Sequence, residues 1–495
     1  MSDRILAIDQ GTTGTTCLVV ELGKQGCRVL GRGYAEVPQH FPQPGWVEHD
    51  LKEIWTSTTT ALAQALAAAH VEGRELAAIG ITNQRETSGI WDRQGNPVHK
   101  AIVWQDRRTA PRCRALIAEG HEELIRSRTG LVVDPYFSGT KVAWLLEQQP
   151  ELRQRALRGE VLFGTIDTWL VYKLTAGKSH ITDATNASRT LLYDIRRNRW
   201  DDELCDIIGQ VPLQLLPQVR GSGEIVGTTQ GVPGLPDGIP IAGLAGDQQA
   251  ALFGQACFEP GMAKCTYGTG AFALVNIGSK PVQSQRGLVT TIAWRLGTTT
   301  TYAIEGSTFV AGAVVQWLRD GLGFIKDSAE IEQLAREVPD TGGVVLVPAL
   351  TGLGAPHWRP EARGLLAGLT RGTTRAHIAR AALEGIALQI HDLLDAMRED
   401  TGSDLKVLRV DGGAAANDLL MQFQADILGL EIHRPAVLDT TALGAAFLAA
   451  LGVGIYSDTQ AVAKAWQLSA TFKPNMSGTQ VKEHVERWRA AVGRA

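Results

Sequence analysis

The stretch that decides the fold of this chain is RILAIDQGTTGTTCLVVEL, residues 4–22. Two apolar runs, residues 5–8 and 18–20, flank a segment of glycine and threonine, which predicts two strands joined by a tight turn. The turn follows one carboxylate, Asp9, and contains no lysine. Glycine lets backbone N–H groups crowd an anion, and threonine hydroxyls add neutral donors. The stretch therefore indicates a phosphate-binding turn, with a plain hairpin turn as the alternative.

Two later stretches repeat this pattern. Residues 263–267 and 272–277 are predicted strands around Gly-Thr-Gly at 268–270, and a strand at 407–410 runs into Asp-Gly-Gly at 411–413. A single glycine motif is weak evidence, but three of them together with the leading carboxylate favour a nucleotide. The chain has no G-x-x-x-x-G-K-[ST] and no protein-kinase signature, so a P-loop is excluded. We expect two similar halves that face one cleft.

Length and patterning predict an α/β protein with two domains. The 495 residues exceed what one hydrophobic core usually supports, and strand-like runs alternate with helical patterns throughout. We expect an N-terminal domain at 1–252 and a C-terminal domain at 253–495. Further expected elements are strands at 78–82, 101–104 and 344–348 and helices at 51–69, 309–318 and 374–399, the last with Thr374 as its N-cap.

Composition argues against several classes of partner. The formal net charge of −4 and the lack of a basic run predict no nucleic acid and no anionic membrane surface as partner. We expect no membrane insertion, because no stretch approaches the roughly 20 apolar residues of a span. The N-terminus lacks a signal pattern, and the six cysteines include no C-x-x-C pair. Reduced thiols and a cytoplasmic location are therefore expected.

The stretch AGDQQAALFG, residues 245–254, places Asp247 between an apolar strand and a helix. An aspartate there is typical of a helix N-cap. It also suits a general base that accepts the proton of a substrate hydroxyl during phosphoryl transfer, and the two interpretations are compatible. Asp9, close to the expected phosphates, is best explained as a ligand of Mg²⁺ through water.

The stretch GITNQRETSGIWD, residues 80–92, places Arg85 and Glu86 after an apolar strand. Such a neighbouring pair is usually solvated, but open α/β sheets bind ligands at the ends of their strands. A guanidinium donates to hydroxyl oxygens and a carboxylate accepts from hydroxyl hydrogens, so the pair suits a polyol. Trp104 and Tyr136 could pack against its C–H face, although aromatic residues are more often part of the core.

The sequence does not support a hydrolase, because the chain has neither H-E-x-x-H, nor a Cys/His metal set, nor G-x-S-x-G.

Short stretches between residue 5 and about residue 452 resemble those of a known family. They are AIDQGTT, GWVEHD, ITNQRET, IVWQDRR, DPYFSGTK, GTIDTWLVYKLT, TDATNASRT, AGDQQAALFG, TYGTG, VPALTGLGAPHW and VDGGAAAN. In them the chain resembles the FGGY carbohydrate kinases, and among these the branch that phosphorylates glycerol.

The resemblance implies a two-domain, actin-like (ribonuclease-H-like) ATPase fold with ATP in an interdomain cleft. It implies Mg-ATP as donor, glycerol as acceptor and sn-glycerol 3-phosphate as product, in glycerol catabolism by a homo-oligomer, either dimer or tetramer. The implied glycerol pocket consists of Arg85, Glu86, Trp104, Tyr136, Asp247, Gln248 and Phe272. The implied nucleotide contacts are Thr12, Thr13, Gly14, Thr16, Thr269 and Gly270 at the phosphates and Gly312, Gln316, Gly413 and Asn417 at the base and ribose.

One position departs from the family pattern. Where these kinases commonly have an arginine for the nucleotide phosphates, the first turn has Thr16, which predicts weaker phosphate binding. Two other functions stay open, a kinase for another small polyol or sugar and an actin-like nucleotide switch that contacts a protein. Arg85, Glu86 and Asp247 together disfavour the switch, which needs no base to activate a hydroxyl.

Overall fold

A computed structural model describes residues 3–24 and 26–495 of the chain. Most strands belong to a six-stranded and a seven-stranded sheet. In chain order the strands are β1 (Arg4–Gln10), β2 (Gly14–Gly23), β3 (Gly26–Glu36), β4 (Glu48–His49), β5 (Ala78–Asn83), β6 (Gly89–Asp92), β7 (Ala101–Ile102), β8 (Val161–Gly164), β9 (Ile181–Asp183), β10 (Tyr193–Asp194), β11 (Arg199–Trp200), β12 (Gln218–Arg220), β13 (Gly227–Thr228), β14 (Pro240–Gly246), β15 (Met262–Tyr267), β16 (Ala271–Gly278), β17 (Val289–Leu296), β18 (Thr299–Thr308), β19 (Val345–Val347), β20 (Leu365–Ala367), β21 (Val407–Asp411), β22 (Ile432–Pro435) and β23 (Leu468–Phe472).

Helices cover the faces of both sheets. In chain order they are α1 (Leu51–Ala69), α2 (Ala110–Ala118), α3 (Glu122–Thr129), α4 (Ser138–Gln148), α5 (Pro150–Leu157), α6 (Ile166–Leu174), α7 (Ala184–Ala187), α8 (Asp202–Gly209), α9 (Asp247–Gly254), α10 (Gly312–Asp320), α11 (Glu330–Ala335), α12 (Arg375–Thr401), α13 (Asp418–Leu428), α14 (Thr440–Gly452), α15 (Thr459–Ala465) and α16 (Gly478–Val492). Within the part of the chain that the structure describes, no helix is long and apolar enough to span a bilayer.

The first sheet has the order β13-β14-β5-β1-β2-β3. β1 pairs antiparallel with β2 and parallel with β5, which in turn pairs parallel with β14. The apolar residues 5–8 of β1 are fully buried, as in a strand covered on both faces. Side chains alternate along β1, so that Leu6 and Ile8 pack in the cluster of α1 while Ile5 and Ala7 pack in that of α14. By the same alternation, the side chain of Asp9 lies on the face of β1 that carries Ile5 and Ala7.

The second sheet has the order β17-β18-β16-β15-β21-β22-β23 and repeats the pairing of the first. β15 forms an antiparallel hairpin with β16 and pairs parallel with β21, as β1 does with β2 and β5. The predicted similarity of the two halves is confirmed by this topology. In both sheets the parallel strands end at the edge that carries a glycine turn, so the turns collect polar groups at the strand ends.

Helix α14 comes late in the chain but packs on β1, β5 and β14 of the first sheet and against α9. Glycine makes this close approach possible, because a Cβ on Gly80 would lie 2.1 Å from the carbonyl oxygen of Ala445. A Cβ on Gly444 would lie 1.8 Å from the carbonyl oxygen of Ala250. The apolar cluster around α14 therefore joins residues from both halves of the chain.

Most predicted elements are present with small shifts of their ends. The helix at 51–69 has the predicted bounds, and α12 begins immediately after its N-cap Thr374. Two expectations are wrong in extent: β7 ends at Ile102, and the helix expected from 309 begins at Gly312. The six cysteines are free thiols.

Candidate active site

The carboxylate of Asp247 lies at the carboxyl end of β14. Gly246 occupies the N-cap position of α9 and Asp247 is its first helical residue, so the N-cap interpretation of Asp247 is wrong. Its Oδ1 lies 3.0 Å from Nε of Arg85 and accepts the backbone N–H of Gln248 at 2.7 Å. The Asp247 side chain is 30% exposed, whereas that of Arg85 is 2% exposed. A buried guanidinium therefore holds the Asp247 side chain, which a substrate can still reach.

Arg85 is itself held from the opposite sheet. Its Nη1 and Nη2 donate to Oε2 and Oε1 of Glu305 on β18 at 2.6 and 2.8 Å. Arg189 donates to Oε1 of Glu86 at 2.7 Å and to Oε1 of Glu305 at 3.3 Å. All four side chains are buried, so the solvated interpretation of the Arg85–Glu86 pair is wrong. The four groups form a charge-balanced network.

The charges of this network control its ionisation. Burial alone would raise the pKa of Glu305, but the guanidinium groups of Arg189 and Arg85 outweigh it and hold the pKa at about 2. For Glu86 burial prevails over the same two guanidinium groups and raises the pKa. Glu305 and Arg189 were not indicated as site residues by the sequence, although Arg189 lies in the quoted stretch TDATNASRT.

The backbone at Glu86 is strained. Its φ of 62° lies in the left-handed region, which costs a non-glycine residue on the order of 1–3 kcal/mol. The carbonyl oxygen of Glu86 accepts from the hydroxyls of Ser88 and Ser138, both at 2.9 Å, and Arg189 fixes its side chain. This strained backbone with several fixed contacts is typical of a functional site.

The aromatic residues predicted for the polyol lie together. Trp104 and Tyr136 pack edge to face, with ring centroids 5.6 Å apart and an interplanar angle of 88°. Nη2 of Arg85 donates to the Tyr136 hydroxyl at 3.5 Å. Trp104 Nε1 donates to the Thr12 hydroxyl at 2.8 Å. The Trp104–Tyr136 pair thus connects Arg85 to Thr12 in the first glycine turn.

A buried chain of hydrogen bonds fixes the end of β14. The N–H of Gly246 donates to the Thr185 hydroxyl at 2.8 Å, and this hydroxyl donates to Oδ1 of Asp183 at 2.8 Å. At the end of β5 the side chain of Asn83 donates to that of Asn186 at 3.0 Å. These residues of the TDATNASRT stretch therefore position the backbone from which Asp247 and Arg85 project, a role that spacing alone did not reveal.

The first two turns have the compact form that the sequence predicts. In the first, Gly11 N–H donates to the carbonyl of Gly14 at 2.9 Å; in the second, Gly268 N–H donates to the carbonyl of Gly270 at 2.9 Å. Gly312 N–H donates to Gly268 O at 2.9 Å, so α10 begins against the second turn. The predicted phosphate residues in the two turns are Thr12, Thr13 and Gly14, and Thr269 and Gly270.

The third turn depends on glycine in a different way. Gly412 has φ of 84°, and a Cβ there would lie 2.5 Å from the carbonyl oxygen of Tyr267, whereas nothing lies within 4 Å of a Cβ on Gly413. Asn417 caps α13 by accepting Leu420 N–H at 2.9 Å, a structural role beside the predicted ligand contact.

Gln316, the other side chain predicted to contact the base or ribose, is exposed on α10, apart from the buried network of Arg85, Glu86, Arg189 and Glu305.

The surroundings of Asp9 suit a hard cation. Burial and the nearby carboxylates of Asp247 and Asp439 raise the pKa of Asp9 to about 7, and the Arg32 guanidinium opposes them. Among residues 3–24 and 26–495, no group of three His, Cys, Asp or Glu side chains gathers as a metal site. A Mg²⁺ ion beside Asp9 would therefore keep most of its ligands as water and phosphate oxygens, which is its usual preference. Thr16 pairs directly opposite Asp9 on β2.

The remaining predicted polyol residues, Gln248 and Phe272, meet the second sheet. The side-chain carbonyl of Gln248 accepts from Nζ of Lys264 on β15. Thr266, two residues farther along β15, pairs with Phe272 on β16. Lys264, Thr266 and Phe272 therefore share the sheet face that carries Glu305. The structure thus links the other predicted polyol residues by contacts and places Phe272 on the sheet face that meets them.

Comparison with known proteins places this site in context. The profile of the FGGY family of carbohydrate kinases, N-terminal domain, matches residues 4–254, and that of its C-terminal domain matches residues 263–453. A glycerol kinase of Myxococcus xanthus is 60% identical over 494 residues, which cover 99% of both chains. A glycerol kinase of Deinococcus radiodurans is 58% identical over 99% of this chain and 97% of the relative.

The fold is also that of a solved structure. The Plasmodium falciparum glycerol kinase, crystallised with ADP, superposes with a TM-score of 0.92 at 38% sequence identity. The match covers 100% of this chain and 98% of the Plasmodium chain. The similarity therefore extends over both sheets and the cleft between them.

Proposed function

The chain belongs to the FGGY family of carbohydrate kinases, and we propose that it transfers the γ-phosphoryl group of Mg-ATP to glycerol, giving sn-glycerol 3-phosphate and ADP. The observation that carries the proposal is the reachable carboxylate of Asp247, held 3.0 Å from buried Arg85. The named relatives, at 60 and 58% identity over almost the whole chain, support glycerol as the acceptor. The Plasmodium relative crystallised with ADP supports an adenine nucleotide as the donor.

We assign the polyol to the cleft beside Asp247. Nη2 of Arg85, whose contact with the Tyr136 hydroxyl is long at 3.5 Å, donates to a hydroxyl oxygen in place of that contact. Trp104 and Tyr136 contact the C–H face, and Glu86 keeps its place through Arg189. The proposed glycerol pocket consists of Arg85, Glu86, Trp104, Tyr136, Asp247, Gln248 and Phe272. Sites built on hydrogen bonds to hydroxyls discriminate steeply against analogues that lack them.

Asp247 acts as the general base in this proposal. Its carboxylate accepts the proton of the attacking hydroxyl while the hydroxyl oxygen bonds to the γ-phosphorus and the bond to the β–γ bridging oxygen of ATP breaks, which releases ADP. A positioned base contributes about 10²–10⁴-fold to such a step. Because phosphoryl transfer needs little covalent chemistry from the protein, positioning and charge stabilisation supply most of the remaining rate.

The nucleotide is assigned to the three glycine turns. The turns of Thr12, Thr13 and Gly14 and of Thr269 and Gly270 offer neutral donors to its phosphates, with Thr16 beside them. Asp9 would hold Mg²⁺ through water, and the ion neutralises phosphate charge when bound. The proposed contacts on the base and ribose side are Gly312, Gln316, Gly413 and Asn417.

Three further assignments belong to this proposal. The chain divides into domains at 1–252 and 253–495, with α14 of the second domain packed on the first sheet. The enzyme is cytoplasmic, which the six free cysteines support, and assembles as a dimer or tetramer. Light scattering of the purified protein tests the assembly.

Product analysis tests the proposed reaction. Incubation with Mg-ATP and glycerol should yield ADP and sn-glycerol 3-phosphate in equal amounts, as read by ³¹P NMR and chiral chromatography. A nucleotide switch would bind or hydrolyse ATP without a phosphorylated polyol. A kinase for another sugar would phosphorylate that sugar in preference to glycerol.

A further inference from the structure

Lys264 is a buried cation in the cleft that the proposed reaction does not use. It lies on β15 with none of its surface exposed. Its Nζ donates to the side-chain carbonyl of Gln248 and to the hydroxyl of Thr266, the latter at 3.0 Å. Gln248 belongs to α9, the helix that begins at Asp247 and follows β14 of the first sheet. The ammonium of Lys264, on the second sheet, is therefore bonded to the helix that carries the proposed base.

The chemistry of the pair fixes the orientation of an amide. A lysine ammonium carries three donors and no acceptor, so it can bind only the oxygen of the Gln248 amide. The amide NH₂ then points away from Lys264, and Gln248 keeps part of its surface exposed. Without the ammonium, either end of the amide could face the cleft. Lys264 therefore decides that Gln248 presents donors there.

Burial and neighbouring groups act on the Lys264 ammonium in opposite directions. Burial lowers the pKa of Lys264, while Asp411, Cys265, Asp247 and Glu305 act in the opposite direction. Thr266 holds a second donor of the ammonium and continues into the glycine turn that begins at residue 268. Lys264 is thus hydrogen-bonded both to Gln248, a residue of the proposed polyol pocket, and to Thr266, on the strand that leads to the second glycine turn.

We propose that Lys264 is a positioning residue that orients the Gln248 amide so that its N–H donates to a hydroxyl oxygen of the polyol. This inference rests on the proposed function, because it assigns to Gln248 a hydrogen bond with one hydroxyl of glycerol, the proposed substrate. Arg85 and Gln248 then both donate to the polyol, and Asp247 is the acceptor that takes the proton.

A double-mutant cycle with matched substrates tests the inference. The variants are Lys264→Met, Gln248→Leu and the two combined, assayed for kcat/KM on glycerol, propane-1,2-diol and propane-1,3-diol. We expect each single variant to lose on the order of tenfold in kcat/KM on glycerol, the scale of one lost hydrogen bond. The double variant should be no worse than Gln248→Leu. One of the two diols lacks the hydroxyl to which the Gln248 amide is proposed to donate. On that diol, the kcat/KM values of Lys264→Met and of the wild type should agree within about twofold.

Two further variants keep the test decisive if Lys264→Met fails to fold. Lys264→Arg keeps donors toward Gln248 and should retain more kcat/KM than Lys264→Met. Gln248→Glu keeps an oxygen toward Lys264 but presents no donor to the cleft, so it should lose kcat/KM on glycerol while its melting temperature stays near that of the wild type. A wild type inactive on glycerol contradicts the proposed function. An active wild type with multiplicative single losses, or equal losses on all three substrates, contradicts only the inference about Lys264.

Discussion

At the scale of single residues, the cleft contains two carboxylates with different surroundings. Asp247 lies 3.0 Å from the guanidinium of Arg85 and keeps 30% of its side chain exposed, so its carboxylate is both held and within reach of a substrate hydroxyl. Burial, with a further contribution from nearby carboxylates, raises the pKa of Asp9 to about 7. A group that is costly to ionise next to like charges is stabilised by a divalent cation. The surroundings therefore match a base at Asp247 and a metal ligand at Asp9.

We predict that Asp247→Asn lowers kcat by about 10²–10⁴-fold, because the amide cannot accept the proton of the hydroxyl. The side-chain oxygen can still face Arg85, so binding of glycerol and ATP should change little. Steady-state kinetics and isothermal titration with glycerol measure the two effects. A variant that keeps half of the wild-type kcat would contradict the assignment of the base.

We predict that Asp9→Asn raises the Mg²⁺ concentration needed for half-maximal activity and lowers kcat at saturating Mg²⁺ at least tenfold. The amide removes the charge that attracts the ion but keeps the shape of the side chain. The control is Asp439→Asn, which removes a neighbouring carboxylate that we do not assign to the ion. Equal Mg²⁺ profiles for Asp9→Asn and the wild type would show that the ion lies elsewhere.

Sequence patterns identified residues at strand ends but not their remote partners. Asp247 and Arg85 could be predicted because each follows an apolar strand, where α/β sheets bind ligands. Glu305 could not, because it lies 220 positions from Arg85 along the chain, inside an ordinary strand. Lys264 was missed for the same reason: only the packing of β15 against α9 shows that it meets Gln248.

At the scale of elements, the glycine hairpins, the bounds of α1 and the N-cap Thr374 were the predictable parts. The helix α1 has the predicted bounds because Asp50 caps it, accepting Lys52 N–H at 2.8 Å, and apolar residues repeat at helical spacing. β7 was predicted too long because an apolar run does not reveal where its pairing stops. Its pairing with two-residue β4 and the bridge from Ile102 to Ser88 both end at Ile102, and beyond them Trp104 turns toward Thr12.

The β1–β2 hairpin carries the prediction for Thr16. Thr16 pairs opposite Asp9 at the mouth of the first turn, so Thr16→Arg would bring a guanidinium beside the assigned phosphates. We expect a lower KM for ATP, because charge-assisted hydrogen bonds to phosphate are about twice as strong as neutral ones.

Thr16→Gln is the matched control, since it adds length and donors without charge. Initial rates over a range of ATP concentrations, at low and high salt, separate the two variants. An unchanged KM in Thr16→Arg would indicate that another cation, such as Arg32 on β3, already serves these phosphates.

At the scale of the whole molecule, the two sheets meet through charged groups and through one helix. The division into similar halves could be predicted from the echoed hairpins, and the topology confirms it. The packing of α14 on the first sheet could not, because its small residues give no sign of which sheet they approach. The Arg85–Glu305 contact likewise depends on how the sheets face each other.

We predict that Glu305→Gln destabilises the protein by about 3–5 kcal/mol, because it removes a carboxylate that buried Arg85 and Arg189 share and leaves the network with excess positive charge. The KM for glycerol should rise as well, since Arg85 loses its bidentate anchor. Urea unfolding and steady-state kinetics measure both effects. Glu160→Gln, which removes an exposed ion pair with Arg158, should leave both nearly unchanged. Equal stability of the two variants would contradict the role given to the Glu305 contact.

The proposed reaction is tested most directly by the rates of ATP-dependent phosphorylation of glycerol, erythritol, xylulose and ribulose by the purified wild-type protein. ADP release is coupled to NADH oxidation, and Asp247→Asn serves as the background. We predict that kcat/KM for glycerol exceeds that for each of the other three at least a hundredfold and is lost in Asp247→Asn. A higher kcat/KM for a pentulose, or ADP release that does not depend on any polyol, would contradict it.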